Sequence, residues 1–115
     1  MQTEAAMQAW RLSDVAWQDR AGHQSARLVK DSDTGAEAIL VRYPSGSVSP
    51  AHTHPCAHGL LVIEGRLFTQ SGEFGPGDLV WYPEGAVGSH GATAKGPVTV
   101  LLFTNKPFAI SFVQK

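Results

Sequence analysis

Beyond Trp10 the chain never runs far without a glycine or a proline, and 12 glycines and 7 prolines cut its apolar stretches into strand-sized pieces. Glycine reaches backbone conformations closed to other residues, and proline fixes φ and removes an amide donor, so both punctuate regular structure. Between these breaks lie Ser25–Lys30, Ala38–Tyr43, Leu60–Ile63, Arg66–Gln70, Leu79–Tyr82, Val98–Thr104 and Phe108–Val113. Most are rich in residues that suit a pleated surface, and Val98–Thr104 is the strongest of them. Many short strands between turns predict an all-β domain, a sandwich or a small barrel. Glu64-Gly65 reads as a hairpin turn, Pro76-Gly77 as a type II turn and Pro83-Glu84-Gly85 as a closing turn. Only Thr3–Trp10 reads as a short helix, with Thr3 as its N-cap and Glu4 in its first turn.

A chain of 115 residues fits a single domain with its own core. A formal charge of −1 without a basic run gives no support to a nucleic-acid or anionic-membrane partner. The apolar run Val98–Phe103 is too short to cross a bilayer. The N-terminus lacks the basic start and apolar stretch of a secretory signal, and Cys56 is the single cysteine, so a cytoplasmic location is expected.

The histidines carry the chemistry. His52, His54 and His58 form a His-x-His-x-x-x-His cluster, and His90 follows the Pro83-Glu84-Gly85 turn. Neutral imidazole is the commonest metal ligand at physiological pH. Positions 52, 54 and 58 share one parity, so in extended backbone their side chains can point to one side. Pro50 and Pro55 bracket the first pair, which makes that piece short or an edge strand. His58 has a second role open to it, as a hydrogen-bond partner of a ligand, and His90 could equally lie on an exposed loop. His23 stands alone among polar residues and is expected at the surface. Cys56 reads as a small buried hydrophobe rather than a ligand. Glu64, Asp78 and Glu84 flank turns and are expected in solvent. The sequence offers no Ser-His-Asp constellation or phosphate-cradling loop, and no catalytic residue can be named from it.

Gly46, five residues, His52-x-His54, three residues, His58, six residues and Gly65 together resemble the first motif of the cupins, with histidine where most members carry glutamate. Gly77, five residues and Pro83-x-Gly85 resemble the second motif. The usual second-motif histidine would fall at Gly88; His90 lies two residues later, a shift that keeps strand parity. The opening from Asp31 to Gly35 and the run from Gly72 to Gly85 resemble the ChrR-like branch, which includes domains of zinc-binding anti-sigma factors and stand-alone cupins similar to small-molecule dioxygenases. The resemblance covers about Trp10 to Phe112. It implies a single-domain antiparallel cupin jelly-roll barrel over residues 11–115, after an N-terminal extension over residues 1–10.

It also implies one divalent transition-metal ion inside the barrel, held by His52, His54, His58 and His90. Iron is the first expectation, with zinc, nickel or manganese as alternatives. Histidines without a carboxylate leave the ion its full charge, which favours an anionic oxygen ligand such as an enolate. The first functional expectation is therefore a metal-dependent oxygenase for a small enolisable or aromatic carbonyl compound. A non-catalytic metal- or ligand-binding sensor module and a zinc or nickel isomerase or cyclase are the alternatives. Tyr43, Leu60, Phe68, Trp81, Leu101 and Phe103 are the candidate pocket residues, although Trp81 and Tyr82 are neighbours on one strand and must face opposite ways. A homodimer is expected, with the N-terminal segment carrying Met7 and Trp10 as the contact.

Overall fold

The computed structural model describes residues 6–113. Among them there is no α-helix. A 3-10 turn, Leu12–Asp14, precedes eleven strands: β1 (Gln18–Arg20), β2 (His23–Lys30), β3 (Glu37–Tyr43), β4 (His52–Thr53), β5 (His58–Glu64), β6 (Leu67–Thr69), β7 (Gly72–Phe74), β8 (Leu79–Tyr82), β9 (His90–Ala92), β10 (Val98–Thr104) and β11 (Ser111–Phe112). The helix expected over Thr3–Trp10 is absent from residues 6–10, which form no regular structure, and its first residues lie outside the described ones. A segment of that length is marginal as a helix without a packed face, and residues 6–10 are exposed.

All pairings are antiparallel. The large sheet runs β1-β2-β3-β10-β5-β8, a smaller one runs β7-β6-β9, and β11 pairs with β4. Isolated bridges Val48–Gly91 and His52–Gly88 tie the small sheets together. The ladders do not close into a continuous ring, so the architecture is an antiparallel jelly roll with open edges rather than a fully closed barrel.

The apolar strand β10 sits centrally, with Val100 opposite Val62 and Leu102 opposite Leu60 on β5. These four side chains, with Val41, Leu67, Tyr82, Ala92 and Val98, make one core drawn from both larger sheets. Each buried aliphatic side chain contributes about 1.5–3 kcal/mol over exposure.

Two sequence expectations change here. Glu64-Gly65 is not a hairpin turn: β5 pairs with β10 and β8, while β6 pairs with β7 and β9. Gly65 is where the chain leaves one sheet for the other. It has φ +84°, and a Cβ there would lie 2.2 Å from the Pro97 carbonyl oxygen. The second change is at the C-terminus, where the strand expected over Phe108–Val113 shrinks to Ser111–Phe112. The Pro76-Gly77 turn forms as expected, with the Asp78 N–H donating to the Gly75 carbonyl at 3.0 Å.

Candidate metal centre

Local chemistry brings the two histidine clusters together. The stretch between Pro50 and Pro55 supplies only the two-residue β4, and the His52 and Gly88 backbones exchange hydrogen bonds of 2.9 and 2.8 Å. Ser49 draws β9 alongside: its N–H and its hydroxyl both donate to the His90 carbonyl, at 2.9 and 3.0 Å. The approach is so close that a Cβ on Gly91 would lie 1.9 Å from the Ser47 carbonyl oxygen. Gly88 occupies the bridge opposite His52, and the two-residue shift carries His90 inward on β9.

His52, His54, His58 and His90 are all buried. The nitrogens of His52, His54 and His90 lie within 4.8 Å of one another. A metal–imidazole bond is about 2.1 Å, so two ligands of one ion stand at most about 4.2 Å apart, and small side-chain rotations close the difference. The rings of His52 and His90 have centroids 5.0 Å apart, and those of His52 and His54 4.8 Å. His58 is outside this triad of nitrogens but adjoins it, with its ring centroid 4.4 Å from that of His54.

Hydrogen bonding orients two of the rings. His52 Nδ1 donates to the Pro50 carbonyl at 2.7 Å, and His54 Nδ1 donates to the Ala109 carbonyl. With the proton on Nδ1, each Nε2 presents a lone pair. Both ring nitrogens of His90 and Nδ1 of His58 are buried without a partner. An unsatisfied buried polar atom costs about 1–3 kcal/mol. The gap among the four rings has no room for a water-sized sphere. Neutral imidazole nitrogens left without a hydrogen-bond partner are a donor set that suits a divalent transition-metal cation.

Burial favours the neutral form of three of the rings. It lowers the pKa of His54 and takes His58 to about 4, with His54 adding to the shift. It takes His90 to about 3, with the neighbouring histidines adding to the shift. Cys56 is fully buried, and desolvation raises its thiol pKa, which disfavours a thiolate ligand. Glu64, Asp78 and Glu84 are exposed, as expected.

One side of the histidine triad opens into a cavity of about 970 Å³. Of the pocket residues read from sequence, Tyr43 lines it, and burial raises its phenol pKa. The others lie elsewhere. Leu60 is in the core, Phe68 and Trp81 are exposed, and Leu101 and Phe103 are half-buried on the outer face. The ring of Phe103 lies over Gly59, beside Trp81 at 6.2 Å. Strand parity decides this: Tyr82 pairs with His58 and faces in, so Trp81, opposite Gly59, faces out. His23 is half-buried, 5.9 Å from Tyr43, rather than on the surface. The walls that sequence reasoning missed are Ile39, Val41, Leu102, Phe108, Ile110 and Phe112. Alternation along β3 and β10 carried the signal for the first three, whereas the last three sit on a segment with little regular pairing.

Residues 5–108 match the family model described as the ChrR cupin-like domain. One curated relative, a DNA damage-repair/toleration protein (DRT102) of Arabidopsis thaliana, is 33% identical over 69 residues; the match takes in 55% of this chain and only 21% of that protein. The ChrR anti-sigma protein, in its complex with Rhodobacter sphaeroides SigE, matches at TM-score 0.69 and 27% identity, over 82% of this chain and 51% of that one. The polyketide cyclase RemF of Streptomyces resistomycificus matches at TM-score 0.78 and 18% identity, covering 96% and 87% of the two chains. A putative acetylacetone dioxygenase of Methylibium petroleiphilum matches at TM-score 0.77 and 13% identity, covering 99% and 85%. The last two likenesses establish the jelly-roll fold alone. With the family model spanning most of its length and the paired histidines facing one another inside the fold, the chain belongs to the ChrR cupin-like family.

Proposed function

We propose that this protein is a metal-dependent oxygenase acting on an enolisable or aromatic carbonyl compound. His52, His54 and His90 would hold one divalent ion, iron first, with His58 adjoining as a fourth ligand. The observation that carries this reading is the histidine triad's open side: it faces a large cavity walled mainly by apolar and aromatic side chains. A bound ion there supplies Lewis acidity and, if iron, one-electron chemistry with dioxygen. The protein's own contribution is to favour the neutral form of His54, His58 and His90, orient His52 and His54 by backbone carbonyls and offer a largely apolar wall to the carbonyl compound. A cavity of about 970 Å³ is at the upper end for small-molecule sites, which suits an aryl ketone or aryl diketone better than a short aliphatic one.

Oxygen consumption by the iron-loaded protein with a panel of β-diketones and aryl ketones tests the reading. Substrate-dependent uptake that is lost with His90→Ala supports it. No uptake with any metal in the panel, iron, manganese or nickel, refutes it.

A second reading, a zinc or nickel cyclase or isomerase, is favoured by the absence of a carboxylate from the histidine cluster among the described residues. Such a donor set leaves the ion its full charge for polarising a carbonyl. The likeness to a polyketide cyclase points the same way. Turnover with zinc and without oxygen consumption would select it.

A further inference from the structure

We propose that Glu37 is a positioning residue for His54, acting through the C-terminal segment that crosses the site. Glu37 opens β3, far from the histidines in sequence, and it is a buried carboxylate. Its Oε2 accepts the Phe108 N–H at 3.1 Å. Its own N–H donates to Thr104 Oγ1 at 2.9 Å, and that hydroxyl donates to the Lys106 carbonyl at 2.9 Å. Arg27 Nε approaches Oε1 at 3.0 Å as a charge contact, not as an aligned hydrogen bond.

The segment has few other anchors. Asn105 is tied to Ala57 in both directions, and regular pairing resumes only at Ser111 opposite Thr53. Between them, the described hydrogen bonds that hold residues 107–110 to the rest of the fold are two: Phe108 N–H to Glu37 and His54 Nδ1 to the Ala109 carbonyl. Pro107 lies over Gly35, where a Cβ would come within 2.4 Å of its ring, so the clamp has an apolar side as well. The Phe108 ring then rests 4.6 Å from the His54 ring. Glu37 thereby fixes where the Ala109 carbonyl sits. That carbonyl fixes the tautomer and ring plane of His54 and leaves Nε2 directed at the cluster.

The inference rests on the metal reading only for its effect on affinity; the orientation of His54 is testable without metal. The first arm is native-state hydrogen exchange on the unaltered zinc-free protein, following the Phe108 amide and the His54 Nδ1 proton by NMR. Equal protection of the two, from one shared opening, is expected. A His54 proton that stays protected while the Phe108 amide exchanges would overturn the proposal.

The second arm measures zinc affinity by chelator competition. Glu37→Leu, similar in volume but unable to accept a hydrogen bond, should bind zinc about tenfold more weakly, with fast His54 ring-proton exchange. Glu37→Gln, whose amide oxygen still accepts from Phe108, should restore both, and Arg27→Ala should leave both unchanged. Native affinity in Glu37→Leu, or equal loss in Leu and Gln variants, would refute the idea. A native protein that bound no zinc would sink the metal centre, and the exchange data would still decide the role of Glu37.

Discussion

The imidazole of His58 lies face-on to the phenol ring of Tyr82, with centroids 5.0 Å apart and planes 15° from parallel. The β5–β8 register places the two residues opposite one another. This stack sets His58 apart from the other three histidines, whose rings meet mainly edge to face. It gives His58 a rigid seat beside His54 rather than within the nitrogen triad. His58→Ala is therefore expected to weaken metal binding less than His90→Ala. Zinc titration of both variants checks this, and a larger loss for His58→Ala would show it to be a principal ligand.

Acid should loosen the metal-free protein before it reaches the carboxylate range. His54, His58 and His90 have lowered pKa values in the fold, from an ordinary value near 6.5 to about 4 for His58 and about 3 for His90. Below about pH 6.5 the unfolded chain binds more protons than the folded one, so stability falls as pH drops from there towards 3. A melting temperature of the zinc-free protein that does not change between pH 7 and pH 4 would contradict this. Because the same shifts reduce proton competition, metal retention should extend below pH 6.5.

Gly91→Ala should be costly at an otherwise modest position. The new methyl would collide with the Ser47 backbone, pushing β9 away from residues 47–49. A loss of about 1–3 kcal/mol in denaturant unfolding is expected, together with weaker metal binding as His90 moves. Leu60→Ala, by contrast, should cost about 2–5 kcal/mol through a core cavity.

Ligand binding should divide the aromatics by face. Tyr43→Ala and Phe108→Ala, on the cavity wall, should weaken binding of an aryl diketone to zinc-loaded protein by about tenfold or more. Trp81→Ala, on the outer face, should leave it unchanged. Fluorescence titration separates them, and an equal effect at Trp81 would contradict the cavity assignment.

The N-terminal segment is proposed as a dimer contact. Met7 is 91% exposed, and Trp10, which also lines the cavity, is 44% exposed. Light scattering at micromolar concentration should give twice the chain mass, falling to one chain mass in Met7→Ser/Trp10→Ser. A monomeric native protein would reject the idea.

The sequence alone determined the local pieces. Leu79–Tyr82 and Val98–Thr104 were legible as strands because their residues and flanking breaks agree on extended structure; the shared parity of His52, His54 and His58 did not carry as far as His58, which follows a bend and joins from β5 in another sheet. Tertiary structure decided what those pieces meet. Gly65 looks like a hairpin turn, yet it passes the chain between sheets, because pairing depends on partners distant in the chain. Trp81 and Tyr82 are equivalent candidates until the β5–β8 register turns one in and the other out. The carbonyls that orient the histidines, Pro50 and Ala109, are backbone groups every residue carries, so no residue type marks them. Only the closing of β9 and the C-terminal segment over β4 selects them.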